Sequence, residues 1–557
     1  MSLLFLVLLG VAALLAGYFT YGLFVSRIFN LRSDTKTPAH VLRDNLDYVP
    51  ANKFYLLGQH LSAIAAAGPI VGPILAGLWF GWLPTILWII LGGIFIGGVH
   101  DISALVASVR HQGKSIAEVV KENMSRKAFL LFLLFLWFSL VYIITAFTDI
   151  TASTFADRAA GAGVASSSMM YLGIALVMGI GIRLLKIPVA VATIIFLPLV
   201  FVCIYLGPRY PLQLPSLFGK DIRTSWDILL LVYCFLASII PVWLLLQPRG
   251  YLGGFFLSLT AVASFIGLVI GSFTQKLLIQ YPAVTAWANP QGMPMFPLLF
   301  TTVACGACSG FHAIVASGTT SKQVSNEKDT RLLGYGGMLL ESFVAIIALS
   351  TLLLLNIPQA QKLGDPNQIF ANGISVFLSN LGVNRQFAFN FALLAFATFV
   401  YDTLDVATRL GRYVFQELTG WRNKISAYAA ALATVALPLM FVTREMSDAQ
   451  GNPVPAWKSF WTLFGSSNQL LAALVLLAVS VWLFNGKKKY RITLLPSVFM
   501  LFVAMLSLYF ILEPWIIDIF VHKKISLAPL PVTGVMLLAL SFMLIFEVLL
   551  IFFKEEK

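Results

Sequence analysis

The sequence predicts an all-α polytopic membrane protein with about 15 transmembrane helices, and three observations carry that prediction. The 557 residues are 59% hydrophobic and only 11% charged, which leaves too little charge for the surface of a soluble chain of this size. Apolar runs long enough to cross a bilayer of roughly 30 Å recur from one end to the other. The 37 Lys and Arg fall mostly in every second connection, as the positive-inside rule requires.

In chain order the spans are expected near 3–25, 54–79, 82–109, 128–150, 166–183, 187–206, 228–247, 251–273, 296–319, 332–356, 387–409, 426–443, 460–484, 492–512 and 529–553. The first has no basic residue before it and no small-residue cleavage site after it, and reads as a retained helix rather than a signal peptide. If the segment 26–53 is cytoplasmic, the inside group holds Arg27, Arg32, Lys36, Arg43 and Lys53, then Arg110, Lys114, Lys121, Arg126 and Lys127, and later Lys487 to Lys489 and Arg491. The N-terminus is then outside and the C-terminus cytoplasmic. The net charge of +13 is thus a topology signal; its partner is the bilayer, and no nucleic acid is expected. No soluble domain is visible. The segment 357–386 has a helical rhythm and reads as a short amphipathic helix on the outer face; 444–459 reads as an exposed loop. Four cysteines lie in or beside apolar spans, and Cys305-x-x-Cys308 sits among small residues that favour a helix contact over a metal or redox site.

The span 54–79 contains two Gly-Pro pairs, Gly68-Pro69 and Gly72-Pro73. Each Pro removes an N–H donor and clashes with the carbonyl four residues back. In lipid a freed polar group costs several kcal/mol unless something satisfies it. The break therefore faces protein or a cavity, and its N–H groups suit an anion. The span 228–247 carries Pro241, read as a second mid-membrane break five helices later, with Trp243 beside it. Two five-helix units, each opening on an interrupted helix, is the pattern of inverted-repeat transporters. The expected units are 1–53 (an extra helix and loop), 54–227 (first repeat), 228–425 (second repeat) and 426–557 (additional helices).

Two further constellations carry candidate chemistry. The small-residue stretch Ala304 to Gln323 ends in Ser317, Thr319 and Thr320, whose hydroxyls either coordinate a cation or substrate oxygen, or cap backbone. Ionisable residues inside spans are functional candidates by default: His60 before the break, His100-Asp101, Asp149, His312, Glu341, Asp402 and Asp405. Asp405 and Arg409 are spaced to pair on one helix face. His60 and His100 are either hydrogen-bonded core residues or proton carriers. Ser466 to Gln469 read as interhelical hydrogen bonding.

Six stretches, "DYVPANKFYLLGQHLSAIAAAGPIVGPILA", "GGVHDISALVASVRHQGKSIAE", "PVWLLLQPRGYL", "ACGACSGFHAIVASGTTSKQ", "LDVATRLGRY" and "FGSSNQLLAAL", resemble the carbon starvation protein family, in order from about residue 45 to 475. The resemblance implies a bacterial or archaeal inner-membrane transporter of the amino acid-polyamine-cation superfamily, hence a LeuT-type 5+5 inverted-repeat core. It implies uptake of peptides during carbon starvation or pyruvate–proton symport. Under that reading 54–79 is the first core helix, 228–247 the sixth and 296–319 the eighth, and Gly68 and Gly72 approach Ser317, Thr319 and Thr320. Gly250 stands where the family is expected to have Asp, which leaves Arg249 without that charge partner.

The sequence contains no G-x-x-x-x-G-K-[ST] loop, so uptake is expected to be driven by an ion gradient. The expected function is import of pyruvate or a related carboxylate with H⁺, the alternatives being short-peptide uptake and a transporter-like nutrient sensor; Na⁺ is the other candidate coupling ion. Substrate is placed at Gly68, Pro69, Gly72, Pro73, Pro241 and Trp243, and ion coupling at His60, His100, Asp101, Ser317, Thr319, Thr320 and Asp405. No cofactor and no enzymatic activity are expected: the chain shows no convincing nucleophile–base pair or metal cluster.

Overall fold

The computed structural model describes residues 2–44, 48–65, 67–158, 160–217, 219–241, 243–421, 423–444, 446–447, 453–521 and 529–555. Among them, thirteen helices are long and apolar enough to cross a membrane, and a bent pair makes a fourteenth. We number the helices in chain order: α1 Leu3–Ile28, α2 Lys53–Ile64, α3 Gly68–Phe80, α4 Trp82–Arg110, α5 Ile116–Asn123, α6 Arg126–Phe155, α7 Gly161–Arg183, α8 Val189–Leu206, α9 Ile222–Ile239, α10 Leu246–Thr274, α11 Met295–Thr302, α12 Ala304–Ala307, α13 Gly310–Val315, α14 Gly337–Leu353, α15 Ile357–Leu363, α16 Pro366–Ser379, α17 Arg385–Thr419, α18 Lys424–Val442, α19 Ala456–Asn485, α20 Arg491–Phe520 and α21 Pro529–Glu555.

Local chemistry sets the ends. Asn52, Ser115, Ser125 and Asn384 each cap a helix through the side chain, so the first N–H groups of α2, α5, α6 and α17 are satisfied. Gly81 turns α3 into α4 at φ +94, where a Cβ would stand 2.4 Å from the Ala283 carbonyl. Of the expected loop 444–459, residues 445 and 448–452 lie outside the described set; Met446–Ser447 pairs antiparallel with Pro453–Val454.

Two segments are broken. Between α2 and α3 the chain bends by 49° across the Gly-Pro stretch; Ala66, in that break, lies outside the described residues. The segment 295–320 is interrupted twice, at Val303 and at Cys308–Ser309, and ends in a π turn, Ala316–Thr320. The two run antiparallel and touch along their length. Ala51 bridges to Val324 at one end, and at the other Thr285 N donates to the Phe80 carbonyl at 3.2 Å.

Around this pair the packing comes in matched sets. α6 lies along α17; α9 packs on α6 and on α18, as α18 packs on α17 and on α9. α10 lies on α2 and α17, and α19 on α13 and α6. The short helices α5 and α16 lie against α19 and α10 respectively. Long helices crossing on a central antiparallel pair are the LeuT-type arrangement. α7 and α8 pack mainly on each other, on α10 and on α17, and α1, α20 and α21 lie further out. Phe5, Leu9 and Phe19 on α1 are exposed, as a lipid-facing surface requires.

One expectation is corrected. Pro241 does not break a span. α9 ends at Ile239 and α10 starts at Leu246, so Pro241 is exposed in a connection between two spans. The connection is short and apolar, so in sequence its proline is indistinguishable from one inside a single span.

Candidate functional site: a buried His–Asp–Glu chain above an open vestibule

Three sets of buried polar groups lie between the broken helices and their neighbours. The first begins at His100 and Asp101 on α4, below a π turn at Gly93–Gly97. His100 Nδ1 meets Asp101 Oδ1 at 2.7 Å, and His312 Nδ1, on α13, meets Asp101 Oδ2 at 2.7 Å. His312 Nε2 then approaches Glu341 Oε2, on α14, at 2.8 Å. All four side chains are buried. An imidazole between two carboxylates must either carry both ring protons or face a protonated carboxyl at Asp101 or Glu341. The members of the set therefore compete for a shared proton, in a place where a bare charge costs at least about 2.5–3.5 kcal/mol.

His60, on α2, stands beside this chain, within electrostatic reach of Asp101 and His312. Its Nδ1 pairs with Thr320 Oγ1 at 2.9 Å, and its Nε2 has no protein partner. Gly337 leaves room for that ring: a Cβ there would lie 3.3 Å from it.

The second set joins α2, α9, α10 and α17. Arg249 Nε lies 3.2 Å from Asp402 Oδ1, and Arg249 Nη1 bonds Asp405 Oδ2. Tyr233 OH donates to Asp405 Oδ2 at 2.8 Å, and Ser62 Oγ donates to Asp402 Oδ2 at 2.9 Å. The Arg249 guanidinium also sits 4.8 Å from the centre of the Tyr401 ring. Two expectations change here. Arg249 has its charge partners, supplied by α17 rather than by position 250. Asp405 does not pair with Arg409, whose Nη2 donates instead to the carbonyls of Ala237 and Ile240 at 2.7 and 2.5 Å.

The third set, Asp149 with Arg223 at 3.3 Å and the Trp457 N–H at 2.7 Å, ties α6 to α9 and α19. It lines none of the cavities described below.

Two cavities that share lining residues approach from the basic end, and of these groups they meet His60, Ser62, Thr320 and Asp402. There Arg110 pairs with Glu327 at 2.7 Å and caps the Phe29 carbonyl, and Tyr48 OH reaches the Gln112 carbonyl. A vestibule of about 460 Å³ opens beside them, walled by Gln59, Thr319, Lys322, Gln323, Arg409 and Tyr413 among others. Above it, a chamber of about 50 Å³ sharing Gln59, Thr319 and Gln323 is lined by His60, Ser62, Thr320 and Asp402.

The structure thus gathers His60, His100, Asp101 and Thr320 near one another, places Asp405 in the separate Arg249 set, and leaves other expected residues apart. Gly68 and Gly72 do not meet Ser317, Thr319 and Thr320. A Cβ on Gly68 would lie 2.3 Å from Cys305 Sγ, and one on Gly72 2.5 Å from the Thr302 carbonyl, so these glycines seat α3 against α11 and α12. Pro69 and Pro73 are buried in the same contact. Ser317 donates to the Ala313 carbonyl and accepts from Ile116 N, and Thr319 donates to the Val315 carbonyl. Trp243 is half-buried in the α9–α10 connection, with its carbonyl against Gly179. Asn468 supports the second break: its Oδ1 accepts the Phe311 N–H at 3.0 Å. His312 and Glu341 were visible as ionisable residues within spans, but nothing in their spacing tied them to Asp101, 211 positions from His312.

Broken antiparallel helices, buried titratable chains and a vestibule open at one end are features of a multi-pass membrane transporter. The chain belongs to the carbon starvation protein CstA family, whose model matches residues 2–366 and 358–507. It is 33% identical to the peptide transporter CstA of Campylobacter jejuni, over 90% of this chain and 79% of that one. It is 31% identical to the pyruvate/proton symporter BtsT of Escherichia coli, over 90% and 80%, and 31% identical to the peptide transporter CstA of Bacillus subtilis, over 90% and 88%. Among solved structures it is similar to MhsT in complex with L-phenylalanine, at 14% identity and a TM-score of 0.48, covering 90% of this chain and 98% of that one. A manganese transporter of Eremococcus coleocola matches at 15% identity and a TM-score of 0.44, covering 92% and 98%.

Proposed function

We propose that the chain imports a small carboxylate, pyruvate foremost, together with a proton across a bacterial or archaeal plasma membrane. The observation that supports this best is the chain His100–Asp101–His312–Glu341, a proton store buried in the membrane domain. His60 stands between it and the chamber, with one ring nitrogen unpartnered, and passes the proton from one to the other. The basic end faces the cytoplasm, so the vestibule belongs to an inward-open state. The N-terminus is then outside and the C-terminus inside.

We further read the two repeats as α2–α6 with α9 and α10, and α11–α14 with α17 to α19, α7 and α8 being an insertion. This pairs the two broken segments, places a π turn beside each following helix, and sets the surface helix α5 against α16. It supports a second repeat opening at 295 in place of 228. Alternating access then moves the broken pair about its glycine contact, with Gly68, Pro69, Gly72 and Pro73 at the hinge.

Uptake of labelled pyruvate into proteoliposomes, under a pH gradient or a Na⁺ gradient imposed separately, tests the reading. Accumulation driven by acid outside and lost in Asp101→Asn supports it. Accumulation driven by Na⁺ alone overturns the proton assignment. The second reading, import of short peptides, is favoured by a vestibule within the range of ligand pockets, about 300–1,000 Å³. Dipeptide accumulation without pyruvate accumulation would replace the first reading with it.

A further inference from the structure

Arg409 is 7% exposed and lines the vestibule. Its Nη2 is held by the carbonyls of Ala237 and Ile240, which cap the end of α9 and fix the plane of the guanidinium. Its Nε meets no protein acceptor. Among the described residues it forms no ion pair. Asp405, one turn earlier on α17, is bonded by Arg249 and Tyr233. Glu417 lies two turns further along the same helix. Lys322 lines the same cavity, so the two cations outnumber that one carboxylate.

Asp405 lies within electrostatic reach of Arg409 but makes no contact with it, and a buried guanidinium with no directly bonded counter-ion is unfavourable in a membrane domain. A cap on α9 does not remove that penalty, because carbonyls are neutral. A carboxylate in the vestibule does, through a charge-assisted hydrogen bond from Nη1, the terminal nitrogen that neither carbonyl engages. We propose that Arg409 anchors the carboxylate of the transported substrate, in a subsite on the wall of the vestibule. This rests on the reading of the chain as a carboxylate transporter. It moves the anion-binding role from the Gly-Pro break, which lines neither cavity, to a side chain that does. The subsite asks only for the carboxylate, so pyruvate and the C-terminus of a short peptide both satisfy it.

Calorimetric titration of the full chain in lipid nanodiscs tests the anchor, with pyruvate, a dipeptide and that dipeptide's C-terminal amide as probes. The wild-type chain is expected to bind at least one free carboxylate, and to bind the matching amide at least ten-fold more weakly. Arg409→Gln should lose at least ten-fold toward the carboxylate and become indifferent to amidation, while Arg409→Lys keeps part of the affinity. Because Arg409→Gln also removes the cap on α9, a second measurement leaves the chain unmutated. Phenylglyoxal modification of Arg409, followed by peptide mass mapping, should be suppressed by the carboxylate and not by the amide. The anchor is overturned if a folded Arg409→Gln binds carboxylates as the wild type does, if no carboxylate binds the wild type, or if modification proceeds equally with and without ligand. Binding and protection without gradient-driven accumulation in proteoliposomes would remove the symport reading and keep the anchor. Accumulation unimpaired by Arg409→Gln would do the reverse.

Discussion

Asp101 is held from two sides, by His100 on its own helix and by His312 across the second helix break. Replacing it with Asn keeps the shape and removes the charge that balances His312. Proton-driven accumulation of substrate is expected to fall about ten-fold or more, while exchange of labelled for unlabelled substrate without a gradient persists; a parallel loss of exchange would place Asp101 in substrate binding instead. Arg249 makes the opposite kind of contribution. Its fork spans Asp402 and Asp405, and Arg249→Gln leaves two buried carboxylates uncompensated. A loss of about 3–5 kcal/mol is expected from breaking a buried pair, read as a fall in melting temperature and in yield of folded protein. Adding Asp402→Asn and Asp405→Asn should recover part of it. The i,i+4 spacing suggested that Asp405 pairs with Arg409, because that partner is visible in a linear reading. The actual partner, Arg249, is 156 positions away.

At the scale of helices, the two breaks are legible to different degrees. The Gly-Pro pairs of α3 announce the first, because Pro cannot donate and Gly resists the helix. The second has no proline at Cys308–Ser309; it is stabilised from outside by Asn468 on α19. Asn468→Ala should cost about 1–2 kcal/mol, as lost caps do, and lower transport by loosening α13, which carries His312. The glycine contact offers a sharper test. Gly68→Ala drives its Cβ into Cys305, a side chain, whereas Gly72→Ala meets the Thr302 carbonyl, which is backbone. Gly68→Ala should therefore regain transport when combined with Cys305→Gly, and Gly72→Ala should not. If the double variant is no better than Gly68→Ala alone, the contact is not what limits the helix.

For the whole molecule, a vestibule that meets the cytoplasm, as proposed, predicts thiol access from that face. All four native cysteines are buried, so a single introduced thiol reports cleanly. With Gln323→Cys, a membrane-impermeant maleimide is expected to label inside-out vesicles and to spare right-side-out ones. The reverse pattern would invert the topology read from the basic loops.

The multi-pass helical character of the chain and the approximate places of most spans were determined by the sequence alone, since lipid imposes apolar runs of fixed length and confines Lys and Arg to the connections. So were the first break and the presence of several membrane-embedded ionisable residues. Tertiary structure decided the rest. Pro241 turned out to join two spans because a short apolar connection and a broken helix look alike in hydropathy. Gly68 found Cys305 in place of the Ser317–Thr320 turn because the register of two antiparallel segments is set by packing, not by either segment. Asp101 acquired His312 and Glu341 through three helices whose approach no local pattern encodes. A charge inside a membrane is stable only with its partner, and that partner is chosen by the fold.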